Sequence, residues 1–160
     1  MTQIGANTAQ YTIALPGRQA GTVILAWGVA TDIGRRRDHN EDSMLAVSPI
    51  FAVADGMGGH AAGEVASAAV VSRLDEAISA DFAEQDAIEQ SLRAATTDIA
   101  LAADEQQLGV GTTVTGAALT LQGGRPYWNI CFIGDSRVYM FEHNELAQST
   151  VENSVVQELV

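Results

Sequence analysis

A chain of 160 residues with 47% hydrophobic and only 18% charged residues has the composition of a folded domain with its own core, which excludes a disordered one. Its formal net charge of −12 excludes nucleic acid and anionic membrane surfaces as expected partners, and any phosphorylated ligand must be met by arginine or by metal ions. A single cysteine, Cys131, excludes an internal disulfide framework and is expected as a buried, inert thiol.

No stretch approaches a membrane-spanning length. The apolar run Val23 to Ala30 is preceded by only one basic residue, Arg18, so it does not read as a secretion signal and the chain is expected to be cytoplasmic. Residues 1–21 are small and polar, with Pro16-Gly17 and no sustained period. They predict an arm or tail with a short strand at Tyr11 to Leu15. Thr22 to Thr31 has strand composition, and Asp32 to Asp42 is a loop with Gly34 and three arginines, Arg35, Arg36 and Arg37. Ser43 to Val47 and Ile50 to Ala54 are strands around a turn at Ser48-Pro49.

Ala62, Val65, Ala66, Ala69, Val70, Leu74 and Ile78 recur at three and four and predict a helix with that face buried. Ile88, Leu92, Ala95, Ile99 and Ala102 predict a second, ended by Leu108-Gly109-Val110-Gly111. Strands follow at Thr112 to Leu121, Tyr127 to Ile133 and Arg137 to Phe141, with turns at Gln122-Gly123-Gly124 and Gly134-Asp135-Ser136. His143-Asn144 predicts a tight hairpin into Glu145-Leu146-Ala147, and Val151 to Val160 a last helix. Strands, a helix pair and then antiparallel strands make an α+β order.

The chemistry gathers where apolar strands end. Phe51 to Ala54 runs into Asp55, and Gly56-Met57-Gly58-Gly59 lets backbone and ligand approach closely. Glu41-Asp42 and Asp135 mark two further acidic turns at strand termini, where an unpartnered carboxylate would be costly. Oxygen ligands without clustered His or Cys favour Mg²⁺ or Mn²⁺ over zinc. Arg37 is the natural phosphate partner, because its planar fork matches phosphate oxygens; Arg35 and Arg36 read as a solvated basic loop.

Gly34-Arg35-Arg36-Arg37-Asp38-His39-Asn40-Glu41-Asp42-Ser43 resembles the first motif of the metal-dependent (PPM, type 2C) protein serine/threonine phosphatases, an Arg followed after three residues by Glu-Asp. Phe51 to Gly59, then Gly63-Glu64-Val65-Ala66-Ser67, resembles the bacterial form of the second motif. Gly111-Thr112-Thr113 and Gly134-Asp135-Ser136-Arg137-Val138-Tyr139 resemble the next two. Four motifs in series, over Trp27 to Val160, make the resemblance specific. It implies a β-sandwich of antiparallel sheets flanked by antiparallel helix pairs, with residues 22–160 as a C-terminally incomplete domain of that kind. It also implies hydrolysis of phosphoserine and phosphothreonine in proteins, without a phospho-enzyme, at two Mn²⁺ or Mg²⁺ ions.

By the same resemblance Asp55 bridges both metals, and Glu41 and the Gly56 carbonyl belong to one metal's shell. Asp42 supports bound water, Arg37 holds the substrate phosphate, and Asp135 serves a third, weaker metal position. The implied partner is a phosphorylated protein, a Ser/Thr kinase or one of its targets. Met57 stands where eukaryotic members carry a proposed general acid; His39 and His60 lie nearby in sequence. Glu152 and Asn153 depart from a family segment ending in Thr-x-Asp-His-Ser. The family pattern continues beyond Val160 with two further metal-binding aspartates, so the isolated chain is expected to hydrolyse p-nitrophenyl phosphate negligibly. The competing reading is a non-catalytic pseudophosphatase that acts as a binding or regulatory module.

Overall fold

The computed structural model describes residues 1–17, 21–58, 62–102 and 109–150. Its strands are β1 (Thr2–Gly5), β2 (Thr8–Ala14), β3 (Thr22–Trp27), β4 (Ser43–Val47), β5 (Ile50–Ala54), β6 (Gly56–Met57), β7 (Gly111–Thr112), β8 (Val114–Gln122), β9 (Arg125–Ile133), β10 (Tyr139–Glu142) and β11 (Glu145–Gln148). Helices α1 (Ala62–Glu76) and α2 (Gln85–Ala102) lie between β6 and β7. The expected helix over 151–160 and the break at Leu108 fall outside the described residues.

Alternation along β5 decides the layering. Ile50, Ala52 and Ala54 are buried in one core with Leu45, Val70, Val71, Leu74, Val114 and Ala118, so this face lies against the helices. Phe51 and Val53 point the other way. A five-stranded sheet results, ordered β1-β4-β5-β8-β9, antiparallel except for the parallel pair β1 and β4. Small residues on β5 and β8 bring their backbones together: a Cβ at Gly116 would strike the Phe51 carbonyl oxygen.

α1 packs on this sheet and α2 packs on α1, with Ile88 and Ala95 buried in the shared core. The buried stripe of α1 is Gly63, Ala66, Ser67, Val70, Val71 and Leu74. Val65, expected on that stripe, is 49% exposed, because one residue turns a helix by about 100° and carries it off the contact. Ile78 lies beyond the end of α1 and packs against the core. Arg73 crosses from α1 to Asp98 on α2 through two hydrogen bonds of 2.6 and 3.1 Å, and also bonds Glu76 at 2.8 Å.

The first residues depart from the expected loose arm. β1 pairs with β4, and β2 pairs antiparallel with β3, so a boundary drawn at 21 and 22 passes through a hairpin. The Trp27 indole N–H donates to the Ala6 carbonyl at 3.0 Å, and the Val29 N–H donates to Asn7 Oδ1 at 2.8 Å. Thr2 to Gly5 is too short to carry a periodic signal; the open edge of β4 makes it a strand. Tyr11, Trp27, Phe51 and Trp128 then form an edge-to-face series at 5.7, 5.0 and 5.9 Å, which seats the β2–β3 pair on the sheet face opposite the helices.

β9 runs nine residues in register with β8, closed by Gly123-Gly124. β10 begins at Tyr139, later than expected, and pairs with β11 around His143 and Asn144, whose positive φ of 51° and 65° makes the expected tight turn. Cys131 is half-buried in β9, and burial pushes its thiol up, away from reactivity. No helix among the described residues is long and apolar enough to cross a membrane.

Replacing Asp98 with Asn is expected to lower the melting temperature modestly at neutral pH. The Arg73 hydrogen bond holds the Asp98 carboxyl below the usual carboxylate range, so folding gains from its ionisation. That gain is complete above the unfolded carboxylate pKa and disappears as pH falls through the lower folded one. Thermal unfolding curves of the two proteins should therefore converge in acid.

Candidate metal centre

The site forms where β5 stops. Asp55 leaves the five-stranded sheet, and β6 starts a small second sheet with β7. The Asp55 N–H donates to Thr113 Oγ1 at 3.1 Å, while its carbonyl accepts from the Thr113 N–H at 2.9 Å and from Thr112 Oγ1 at 3.0 Å. Its backbone is held from both sides, and its side chain projects into a cleft. Gly56 is buried against the start of α1: a Cβ there would strike the Gly63 carbonyl oxygen and lie 2.7 Å from the Glu41 carbonyl oxygen. A Cβ at Gly63 would lie 3.0 Å from Glu41 Cδ. Only glycine fits either place.

The loop before β4 supplies the other carboxylates. Asn40 donates to Thr31 Oγ1 at 2.8 Å and accepts the Asp42 N–H at 2.9 Å, an Asx turn that fixes Glu41 and Asp42. Ser67 of α1 donates to the Glu41 carbonyl at 2.5 Å and pairs with Ser43 at 2.9 Å; both serines are fully buried. Thr2 N–H reaches Ser43 Oγ at 3.2 Å, so β1, β4 and α1 share one chain of hydrogen bonds beneath the loop.

Arg37, His39, Glu41, Asp42, Asp55 and Gly56 line a cleft of about 190 Å³ with Asp32, Ile33 and Asn40. Five of the six expected site residues therefore come together there. Asp135 is not among the lining residues, but its charge acts on Asp55. Arg35 and Arg36 are exposed and outside the cleft, as expected of a solvated loop. His60 lies outside the described residues. The sequence motifs contain Asn40, Ser67, Thr112 and Thr113 without giving any of them a role of its own, and they leave out Asp32. The Asn-x-Asp spacing at Asn40 was the available signal for one of them, and only the fold reveals the partners of the rest.

Partial burial raises the pKa of the Asp55 carboxyl above the usual carboxylate range. Asp42 beside it, by charge and by a hydrogen bond, and then Asp135 add to that, and Arg37 opposes it. Glu41 Oε1 is buried without a hydrogen-bond partner. An orphaned acid oxygen and carboxylates crowded against each other are what a hard cation would relieve, and the donors are all oxygen. The residues fit a divalent cation in chemistry. Among the described residues no group of three or more His, Cys, Asp or Glu side chains is placed to hold a metal ion by itself.

A family model described as protein phosphatase 2C matches residues 35–157. The serine/threonine protein phosphatase PstP of Mycobacterium tuberculosis is 39% identical over 145 residues, covering 87% of this chain and 27% of that protein. The serine/threonine phosphatase stp of Listeria welshimeri is 38% identical over 143 residues, covering 81% of this chain and 55% of that protein. The chain thus spans about half or less of the length of these curated relatives. Among solved structures, the catalytic domain of PstP in complex with two manganese ions superposes with a TM-score of 0.68 at 37% identity, covering 79% of this chain and 55% of that one.

Without metal, Asp55→Asn is expected to raise the melting temperature at neutral pH, measured in EDTA. A raised folded pKa means that ionised Asp55 is disfavoured in the fold, so stability is lost as pH rises through that pKa. The variant escapes this loss. Its advantage should vanish below the unfolded carboxylate pKa.

Proposed function

The chain belongs to the protein phosphatase 2C family, and on that footing we propose that it serves the metal-dependent hydrolysis of phosphoserine and phosphothreonine in proteins. One observation carries the proposal: Arg37 shares a cleft with Asp42, Asp55 and the partnerless Glu41 oxygen. A phosphate-binding fork and an oxygen-donor set for hard cations stand together there.

In this reading Glu41, Asp55 and the Gly56 carbonyl would hold Mn²⁺ or Mg²⁺, with Asp135 at a further, weaker position. Bound divalent cations supply charge neutralisation for the phosphate and a lowered pKa for water. The chain's own groups do the placing. Arg37 takes two phosphate oxygens with its guanidinium and opposes the repulsion a phosphate dianion meets in an acidic cleft. Asp42, fixed by Asn40, accepts a hydrogen bond from the attacking water and holds it in place. The water oxygen bonds to phosphorus as the ester P–O bond breaks, and the seryl or threonyl oxygen leaves with a proton. Cys131 takes no part, since it sits in β9 outside the cleft.

The substrate class is a protein phosphorylated by a serine/threonine kinase. A second reading, a pseudophosphatase that binds such proteins without turnover, draws on the lack of a closed metal group among the described residues. Retention of Arg37, Glu41, Asp42 and Asp55 in one cleft weighs for the catalytic one.

The test is Mn²⁺-dependent phosphate release from a phosphothreonine peptide, by the longest reading frame that contains these 160 residues. Release should be lost in EDTA and in Asp55→Asn. Arg37→Ala should raise KM by roughly 10- to 100-fold, the equivalent of losing a charged hydrogen bond. Release that persists undiminished in EDTA would sink the proposal, and peptide binding without release would favour the second reading.

A further inference from the structure

Asp55 of the cleft and Asp135, whose charge acts on it from outside the lining, are eighty positions apart and lie on different loops. We infer that Thr113 is the positioning residue that couples them, an inference that rests on the reading of both as cation ligands. The Thr113 hydroxyl accepts the Asp55 N–H at 3.1 Å and shares a hydrogen bond with Ser136 Oγ at 2.9 Å. A hydroxyl has one proton and two lone pairs, so one oxygen serves both neighbours within its capacity. Ser136 follows Asp135 directly, and its carbonyl accepts from Thr115 Oγ1 at 3.0 Å. The Asp135 loop is thereby tied to residues 113–115, beside the hydroxyl that also fixes Asp55.

The rest of Thr113 serves the same loop. Gly134 has a positive φ of 102°, and a Cβ there would come within 2.7 Å of Thr113 Cγ2. The threonine methyl thus fills the space that the glycine leaves, while the hydroxyl bonds two residues further on. Hydroxyl and methyl can be separated by substitution. Thr113→Val keeps the branched shape and removes the hydrogen bonds; Thr113→Ser keeps the hydroxyl and removes the methyl. Ligand-bearing groups held to within about half an ångström depend on such supporting bonds, and their loss typically costs 10- to 100-fold in metal affinity.

The experiment is Mn²⁺ titration, by calorimetry, of the longest reading frame that contains these 160 residues, with Mn²⁺ electron paramagnetic resonance as a second readout. Thr113→Val should weaken binding by roughly 10- to 100-fold, and Thr113→Ser should restore most of it. Thr120→Val is the matched control: Thr120 is a buried threonine of β8 whose hydroxyl bonds the Tyr127 carbonyl at 3.3 Å, away from the cleft. It should bind Mn²⁺ as the parent does. Asp135→Asn should weaken binding in the parent but add little in the Thr113→Val background, which simple loss of stability would not produce. Unchanged affinity in Thr113→Val, or full additivity with Asp135→Asn, overturns the coupling. Unchanged affinity in Asp55→Asn overturns instead the metal reading on which it rests.

Discussion

The close approach of Gly56 to Gly63 is the constraint on which the site depends. The start of β6 and the first turn of α1 meet backbone to backbone, with the Glu41 peptide against them. No side chain separates the two, so the carboxylates of Glu41 and Asp55 share one cleft instead of facing opposite sides of a helix. The buried serine pair beneath that contact completes it. Ser67 takes the Glu41 carbonyl and Ser43 takes Ser67, so both of these buried hydroxyls have a partner.

The electrostatics run against this geometry, which is why the site carries a functional meaning at all. A chain of net charge −12 places Asp42, Asp55 and Asp135 in mutual repulsion and offers Arg37 as a partial counterweight. A fold selected for stability alone would relieve this repulsion. Its retention beside an unpartnered Glu41 oxygen is the cost of a site shaped for a cation.

Much of this was legible in the residues. The order of motifs from Arg37 through Asp55 covers residues that line the cleft, and the strand at Ile50 to Ala54 stands at its expected bounds. Both rest on local patterns that sequence displays. The short strand expected at Tyr11 to Leu15 is part of β2, but β1 was not legible, because it has no period of its own and exists through its pairing with β4. The exposure of Val65 escaped for a related reason: apolar spacing in an alanine-rich helix is satisfied by two neighbouring faces, and only packing chooses. The bonds of Thr113 span 23 residues to Ser136 and 58 to Asp55, and no local pattern announces a partner at that distance.

The aromatic series has an optical consequence. The chain holds two tryptophans, Trp27 and Trp128, and both rings contact Phe51 edge-on from different strands. Emission from both therefore reports the sheet face away from the helices: Trp27 the seating of the β2–β3 pair on it, Trp128 the five-stranded sheet itself. It is nearly blind to the docking of α2 on the far side of the core. An intrinsic-fluorescence melt and a far-ultraviolet dichroism melt of this protein thus view opposite layers, and their coincidence measures how tightly those layers are coupled.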